Sequence, residues 1–592
     1  MCLNDGSGTR FNSRTGISAG LDLTLVSSEL ANVCVWEVRG DSTFGSDHLP
    51  VLCSLLGRRR GGCKEARDRW VFSKAKWDMF YDLCESSFKN WGPVGSIDEE
   101  TNRVTQELLS AAEECVPRSK GGRTKRVVPW WSEECRAAIK ERNRALNRAR
   151  RSQSIADLIA YRMARAHARR VIRQAKRLSW RNFCSSIGRT TPLSKVWSRV
   201  KYMDGIPRDP EIPVLSKLGR EAVSEIDRAE MIAQTLVKVH SSDNLTDEEK
   251  RGRSKTAGEF RDFLIGRGVS DSSLDCSFTR GELRRAIGKT KDAAPGRDRI
   301  CYIMLRNLGK FALDKLLGLY NSIWTCGHVP EIWKEAVIVP VRKPGKDPTD
   351  PGNYRPIALT SHLCKIMERM VVDRLTYFLE SRGLLSKFQS GFRHSRGTMD
   401  PVVCLDSDVR KAQVNREVVL AVFFDVEKAY DMVWIEGVLI RLRLLGVGGK
   451  MFCWIKDFLE GRSIQVRVGS VLSRRYLVEN GTPQGSVISP IIFSIAINAV
   501  FDKVPLDIGR SLFADDGALW KRGRNGVYVA KKMQEALGTV EEWAKAWGFR
   551  FSVGKTKSML FFEKQNRRRE GVSVRSQNLV PSLTLYGQVI ES

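Results

Sequence analysis

Three aspartates supply the chemistry this sequence can perform. The run VVLAVFFDVEKAYD opens with β-branched and aromatic residues, the composition of a buried strand, and delivers Asp425 at its end. The segment SLFADDGALW is apolar on both sides of two consecutive aspartates, the pattern of a tight β-hairpin with Asp515 and Asp516 at its tip. Grouped carboxylates repel and are costly to bury unless a cation neutralises them. Mg²⁺, bound through one or two carboxylates plus substrate phosphates, meets that need. With two such ions, one lowers the charge on an attacking hydroxyl and the other holds a triphosphate, so that an in-line displacement releases pyrophosphate. A DD pair alone is more often a solvated turn, because Asp is frequent in turns. The strand ending at Asp425 and the Asp515–Asp516 hairpin together, with TPQGS between them, weigh against that reading more than either does alone.

Elements to position these acids are legible around them. From Phe278 onward, helical periods alternate with short apolar runs that stop at Asp, Gly or Pro, as in an α/β domain with a carboxylate-bearing sheet. EAVIVPVRKPGKDPTDPGNYRPIALT reads as two strands joined by a Pro/Gly-rich loop, carrying Arg342, Lys343, Lys346 and Arg355, cations suited to a triphosphate. NGTPQGSVISPIIFSIAINAVF has small residues where a backbone can approach a substrate closely, followed by Ser489 and Pro490 at expected N-cap and N1 positions of an apolar helix. Gln484 and Gly485 precede that buried support.

Composition limits the class. The 592 residues carry 98 Lys and Arg against 68 Asp and Glu, a formal charge of +30 that points to a polyanionic partner, nucleic acid first. No stretch approaches the roughly 18 apolar residues of a spanning helix, and MCLNDGSGTRFNSR lacks the apolar core of a secretion signal. The expected compartment is therefore intracellular, nucleus and cytoplasm. The 14 cysteines are scattered without zinc spacing, so reduced, mostly buried thiols are expected. Hydrophobic content of 42% with 28% charged residues is that of a folded chain. Up to about Leu56, alternating segments such as LDLTLVS read as the tail of a β-rich domain. From about Arg58 to Asn182 the chain reads as helical and increasingly basic. Arg165, Arg169, Arg173 and Arg177 stand four apart, a single helical stripe whose like charges cost about 0.2–0.5 kcal/mol per pair unless an anion lies alongside. A solvated helix face explains the stripe as well as a nucleic-acid contact does.

With those motifs in hand, the chain resembles the polyprotein of LINE-type non-LTR retrotransposons, nearest to the jockey-like group, over nearly its whole length. The resemblance implies an α/β (α+β) fold: right-hand reverse transcriptase fingers and palm over 276–592, a basic helical linker over 57–275, and over 1–56 the truncated C-terminal remnant of an endonuclease/exonuclease/phosphatase β-sandwich. It implies an RNA-directed DNA polymerase with an RNA template, a DNA primer or target DNA, dNTPs, and two Mg²⁺ ions for which Mn²⁺ can substitute. Asp425 and Asp515 would be the metal ligands, with Asp516 supporting them in the same turn. Tyr430 matches a steric gate against a ribose 2′-hydroxyl, its alternative role being core packing. Arg355, in NYRPI, and Lys343 would meet the nucleotide phosphates, and Gln484 with Gly485 would lie against the incoming nucleotide and template base. WGFRFSVGKTKSMLFF offers Lys555 or Lys557 as the acid for pyrophosphate. In QSGFRHSRGT, Gln389, Gly391, Phe392 and Arg393 would shape the template side. LTLYGQVI resembles the primer grip, with Tyr586 and Gly587 at its turn; the sequence stops five residues later, so no thumb is expected.

LDLTLVS and GSDHLPV resemble the last segments of the nuclease fold, with Asp47 and His48 as its catalytic pair and Asp22 as a further core acid. Fewer than fifty residues precede Asp47, so the nuclease is expected to be truncated. AAPGRDRI departs from the family by placing Arg297 and Arg299 where Pro and Gly are usual, a change expected to loosen that loop. PWWSEEC agrees with the region between nuclease and polymerase. Two readings compete with the polymerase: a catalytically silent nucleic-acid-binding remnant, and a DNA-nicking endonuclease.

Overall fold

The computed structural model describes residues 1–12, 15, 17–39, 46, 48–55, 69–89, 91–92, 95–119, 128–152, 154–188, 191–203, 212–265, 271–562 and 581–591. The chain forms two compact units, one of Arg69–Ser119 with Ile212–Ser592, the other of Met1–Asp68 with Lys120–Glu211. Of the stretch 57–275, residues 69–119 and 212–275 therefore fall in the larger unit.

In chain order the larger unit contains helices α1 (Trp77–Lys89), α2 (Ile97–Cys115), α3 (Glu225–His240) and α4 (Lys310–Cys326), then strands β1 (Glu335–Arg342) and β2 (Tyr354–Leu359). Helices α5 (His362–Ser381) and α6 (Met399–Val414), strands β3 (Val418–Asp425) and β4 (Ser463–Val468), and helix α7 (Ser489–Ile497) follow. Strands β5 (Gly509–Phe513) and β6 (Asp516–Gly523), helix α8 (Gly526–Trp547) and strand β7 (Lys557–Phe561) come next, and further helices and short strands pack among these elements. One sheet runs β5-β6-β3-β7, antiparallel throughout. A second runs β2-β1-β4 and on to short strands, with β1 antiparallel to β2 and parallel to β4.

Strand β3 is apolar on both faces because both are covered. Leu420, Val422 and Phe424 enter the main core, while Val419 and Ala421 face a smaller cluster with Ala412 of α6 and Ala518 and Trp520 of β6. That two-residue alternation is the strand's own period, and burial on both sides explains the unbroken VVLAVFF run. The Phe424 ring meets Phe551 edge-on at 4.9 Å and Phe501 at 6.0 Å, so the residue before Asp425 is fixed by packing. Trp520 Nε1 donates to Asp408 Oδ2 at 2.9 Å and pins α6 to the sheet.

Helix α7 starts one residue off the expected frame: Ser489 is its first helical residue and Pro490 its second. The Ser489 hydroxyl donates to the Pro483 carbonyl at 2.9 Å instead of capping. The loop at 293–300 is tied down, contrary to the expected loosening. Arg297 reaches Glu335 at 2.5 Å, Asp298 is buried, and Arg299 sits at φ +61 where glycine would be unstrained. The left-handed position explains why a glycine belongs there; the loop persists because its neighbours hold it. Burial pushes the Asp298 carboxyl up to about 6.

The smaller unit pairs Cys34–Val38 with Val51–Leu55 and packs helices Glu133–Ser152 and Ile155–Ser185 through Phe11, Leu146, Ala149, Leu158 and Tyr161. The arginine stripe lies on the second helix, with Arg169, Arg173 and Arg177 exposed. Thiols are less buried than expected: five of the thirteen described cysteines are buried, because several stand on outer helix faces such as Cys404 and Cys453. Among the described residues no helix is long and apolar enough to cross a membrane.

Candidate active site

Asp425, the last residue of β3, stands opposite Asp516, the first of β6, in antiparallel register. Phe513 pairs with Asp516, so Ala514 and Asp515 form a two-residue turn. Ala514 has φ +58, the first-position geometry that usually selects glycine in such hairpins and costs an L-residue about 1–2 kcal/mol. The buried Gln389 amide holds it there. Its Oε1 accepts from the Ala514 amide at 3.0 Å and its Nε2 donates to the Ala514 carbonyl at 3.2 Å. Gly391 closes against the same backbone, where a side-chain carbon would collide with the Ala514 nitrogen. The turn that carries Asp515 is thus braced from QSGFRHSRGT.

Two of the three carboxylates, Asp515 and Asp516, are poorly neutralised. Burial raises the Asp515 carboxyl above the usual range and the charge of Asp425 adds to it; Asp516 is raised by burial, then by Asp515 and Asp425. Lys555 Nζ lies 2.6 Å from Asp425 Oδ2. Lys557, on β7, instead contacts Glu591. Among the described residues no three or more His, Cys, Asp or Glu side chains form a ready-made metal cage. This donor set nevertheless fits Mg²⁺, an ion that takes one or two carboxylates and completes its shell with water and substrate phosphates.

Cations and the expected nucleotide-side residues lie around these acids. Lys343 donates from Nζ to the Gly352 carbonyl at 3.0 Å. Burial lowers its pKa, and Lys555, Arg355 and Lys428 lower it further against the opposing pull of Asp431. Arg355 is exposed on β2, paired with Val341. The Tyr430 ring packs on Phe493 at 5.3 Å, and burial, with Asp515 nearby, pushes its hydroxyl up to about 12. It therefore combines core packing with proximity to the acids. Gln484 Nε2 donates to Asp431 Oδ1 at 2.7 Å, and the Gln484 carbonyl accepts from the Ala358 amide at 2.8 Å. Gly485, at φ +131, passes so close to β2 that a side-chain carbon would stand 2.6 Å from the Ala358 oxygen.

Other expected contacts are directed inward. Gln389 is used by the hairpin, and Arg393 forms a bidentate pair with Glu380 at 2.7 and 2.5 Å while donating to the Ser386 and Gln389 carbonyls. Phe392 is half exposed at φ +58. Tyr586 and Gly587 form the expected turn, both at positive φ, but the Tyr586 hydroxyl accepts from the Phe551 amide at 3.2 Å, and burial pushes it up to about 12. Sequence reasoning missed Glu368. This buried α5 carboxylate accepts from the Ser486 hydroxyl and the Val487 amide, each at 2.5 Å, and from the Ile488 amide at 3.1 Å, anchoring the TPQGS loop at the start of α7. The signal available was an acid interrupting the apolar face of α5.

In the smaller unit, His48 Nδ1 lies 2.7 Å from Asp22 Oδ2, and that hydrogen bond, then one from Thr9, holds the Asp22 carboxyl below its usual range. The histidine's described partner is thus Asp22; Asp47 lies outside the described residues.

Residues 341–578 match the family model for reverse transcriptase (RNA-dependent DNA polymerase). The chain carries a reverse transcriptase domain. The match spans β2, β3, the aspartate hairpin and β7. The RNA-directed DNA polymerase from mobile element jockey of Drosophila melanogaster is 26% identical over 539 residues, covering 88% of this chain and 57% of that protein. The probable RNA-directed DNA polymerase from transposon BS of the same fly is 27% identical, covering 86% and 56%. The jockey polymerase of Drosophila funebris is 32% identical over 290 residues, 48% of this chain and 32% of that protein. The resemblance to jockey-like elements read from the motifs is borne out. The chain spans about half the length of the first two of these curated relatives.

Proposed function

We infer that this chain is an RNA-directed DNA polymerase of a non-LTR retrotransposon, extending a DNA primer on an RNA template. The observation that carries this reading is the register of Asp425 against Asp516 with Asp515 in the adjoining β5–β6 turn, inside the stretch that matches reverse transcriptases. In this reading the β5-β6-β3-β7 sheet is the palm and the β1-β2 hairpin belongs to the fingers. Asp425, Asp515 and Asp516 are the groups that hold divalent ions, Mg²⁺ first, whose chemistry when bound is to offset charge at the attacking hydroxyl and the triphosphate. Lys343 and Arg355 orient the triphosphate, with Arg355 suited to bidentate pairing. Gln484 and Gly485 border the incoming nucleotide, and Tyr430 limits room at the ribose. Lys555, through its contact with Asp425, is better placed than Lys557 to deliver a proton to the leaving pyrophosphate.

The direct test is Mg²⁺-dependent incorporation of labelled dTTP on poly(rA) primed with oligo(dT). Incorporation supports the reading; a folded chain with no incorporation under any divalent ion counts against it and in favour of a silent nucleic-acid-binding protein. The exposed arginines of helix Ile155–Ser185 belong to the template-binding surface in this reading. Arg169→Ala with Arg173→Ala is expected to weaken RNA binding and to reduce the slope of log affinity against log salt by about 1.4, roughly 0.7 for each lost single-strand phosphate contact. An unchanged slope in a salt titration would leave the stripe as a solvated face.

The Asp22–His48 contact favours a second, subordinate reading, that the N-terminal segment derives from a phosphodiester-cleaving nuclease. Any nicking of supercoiled plasmid by the chain is expected to fall at least about a hundredfold in His48→Ala. Nicking that survived this substitution would come from elsewhere.

A further inference from the structure

Helix α3 lies in the stretch that sequence analysis treated as a linker, yet its last residue reaches the loop that precedes Gln484. His240 and Asn480 are joined twice. The Asn480 amide donates to the His240 carbonyl at 3.1 Å, and His240 Nδ1 donates to the Asn480 carbonyl at 2.9 Å. With Nδ1 committed in this way, Nε2 is turned toward Asp431, 3.9 Å from Oδ1. That same Oδ1 accepts from Gln484 Nε2 at 2.7 Å. Gly481 allows this approach: at φ +90, a side-chain carbon there would stand 2.6 Å from both His240 Nδ1 and the Asp431 carbonyl oxygen. Along the same edge the Gly481 amide donates to the Val433 carbonyl and the Thr482 amide to the Tyr430 carbonyl, each at 2.8 Å. His240 and Asp431 are both nearly buried, so neither is a surface pair of little consequence.

We propose that His240 and Asp431 are positioning residues for nucleotide selection, acting through Gln484: the imidazole fixes the Asn480–Gly481 turn and faces Asp431, whose carboxylate holds the Gln484 amide in one orientation. This rests on the polymerase reading above and adds to it a residue from outside the matched family region. Gln484 has three rotatable side-chain bonds ahead of its amide, and a side chain of that kind loses up to about 2 kcal/mol of rotamer freedom when ordered. A protein acceptor that orders it beforehand lowers the cost at the moment the nucleotide binds. Removing the acceptor therefore weakens nucleotide binding more than it slows the bound complex.

The test is a double-mutant cycle on the full chain, with dTTP titrated on poly(rA)/oligo(dT). Asp431→Ala and His240→Ala are each expected to raise the KM for dTTP, by about tenfold and about threefold, with kcat changed less than KM. Gln484→Ala combined with either is expected to match Gln484→Ala alone, because the effect travels through that amide. His240→Asn, whose side-chain amide can still donate to the Asn480 carbonyl, is expected to recover most of the loss. Additive effects in the cycle, or a fall in kcat with KM unchanged, would overturn the relay while leaving the polymerase intact. A wild-type chain that extended no primer would overturn the polymerase reading and this inference with it. If His240→Ala fails to fold, the His240→Asn and Asp431→Ala arms of the cycle decide the question.

Discussion

Asp515→Asn is expected to abolish divalent-metal-dependent dTTP incorporation, by about a thousandfold or more, while making the metal-free protein slightly more stable. In the proposed reading Asp515 holds a divalent ion, and the loss follows from removing a carboxylate that helps stabilise several kcal/mol of developing charge. The gain follows from the electrostatics of the folded chain. Burial and Asp425 raise the Asp515 carboxyl, so the charged form is disfavoured by folding. A carboxyl raised in this way contributes stability that is fully present below its unfolded pKa of about 4 and is lost as pH rises through the folded pKa. The metal-free wild type and the variant should therefore melt alike near pH 3 and diverge as pH rises, the variant melting higher at pH 7. Mg²⁺ should raise the melting temperature of the wild type more than that of the variant. Thermal melts with and without Mg²⁺, run beside primer extension, check all of this. A variant that lost activity and melted lower at pH 7 would mean that Asp515 is a structural support.

The second large effect is expected at Gln389, a residue the sequence pointed to for a different reason. Gln389→Leu preserves much of the side-chain volume but leaves the Ala514 amide, the Ala514 carbonyl and the Gly391 amide without their partner. A buried polar group deprived of its partner costs about 1–3 kcal/mol, and here one substitution orphans three, so a loss of roughly 3–5 kcal/mol is expected in denaturant unfolding. Incorporation should drop at least about a hundredfold, because the left-handed Ala514 next to Asp515 loses its brace and small misplacements of reacting groups are costly. Ala514→Gly in the Gln389→Leu background should recover part of the stability, since glycine adopts that φ without strain. If Gln389→Leu altered template affinity and left stability unchanged, its role would be the template contact that the motif suggested.

What was legible in the sequence is what depends on period and turn chemistry. VVLAVFFD announced its strand, FADD its hairpin and EAVIVPVRKPGKDPTDPGNYRPIALT its two strands around a Pro/Gly loop, because each is a local pattern; the turn in LTLYGQVI was implied by its resemblance to a primer grip. What was not legible depends on pairing across long separations. Gln389 and Arg393 sit in QSGFRHSRGT, where the resemblance implies a template-side role, yet their hydrogen bonds run to a hairpin about 125 residues later and to a preceding helix. Glu368 reads as one polar position in α5 until the backbone amides of 487 and 488 are brought to it. His240 is separated from Asp431 by a stretch of chain whose composition says nothing about contact. Lys555 and Lys557 are alike in the sequence and differ in the fold: one ends a helical turn beside Asp425, and the other lies on β7 with Glu591 in reach.

The larger unit is discontinuous in sequence, and this sets the order of events during synthesis. Helices α1 and α2 bury Phe80, Cys84, Phe88, Val104 and Leu108 in the same core as α4, which ends at Cys326. On a ribosome elongating at about 5–20 residues per second, α4 is completed roughly 10–40 s after α2. For that interval the apolar faces of α1 and α2 are without their α4 partner. A nascent chain of this protein should therefore be a client for hydrophobic-surface chaperones, and its yield should fall with chaperone depletion or with translation slowed between α2 and α4.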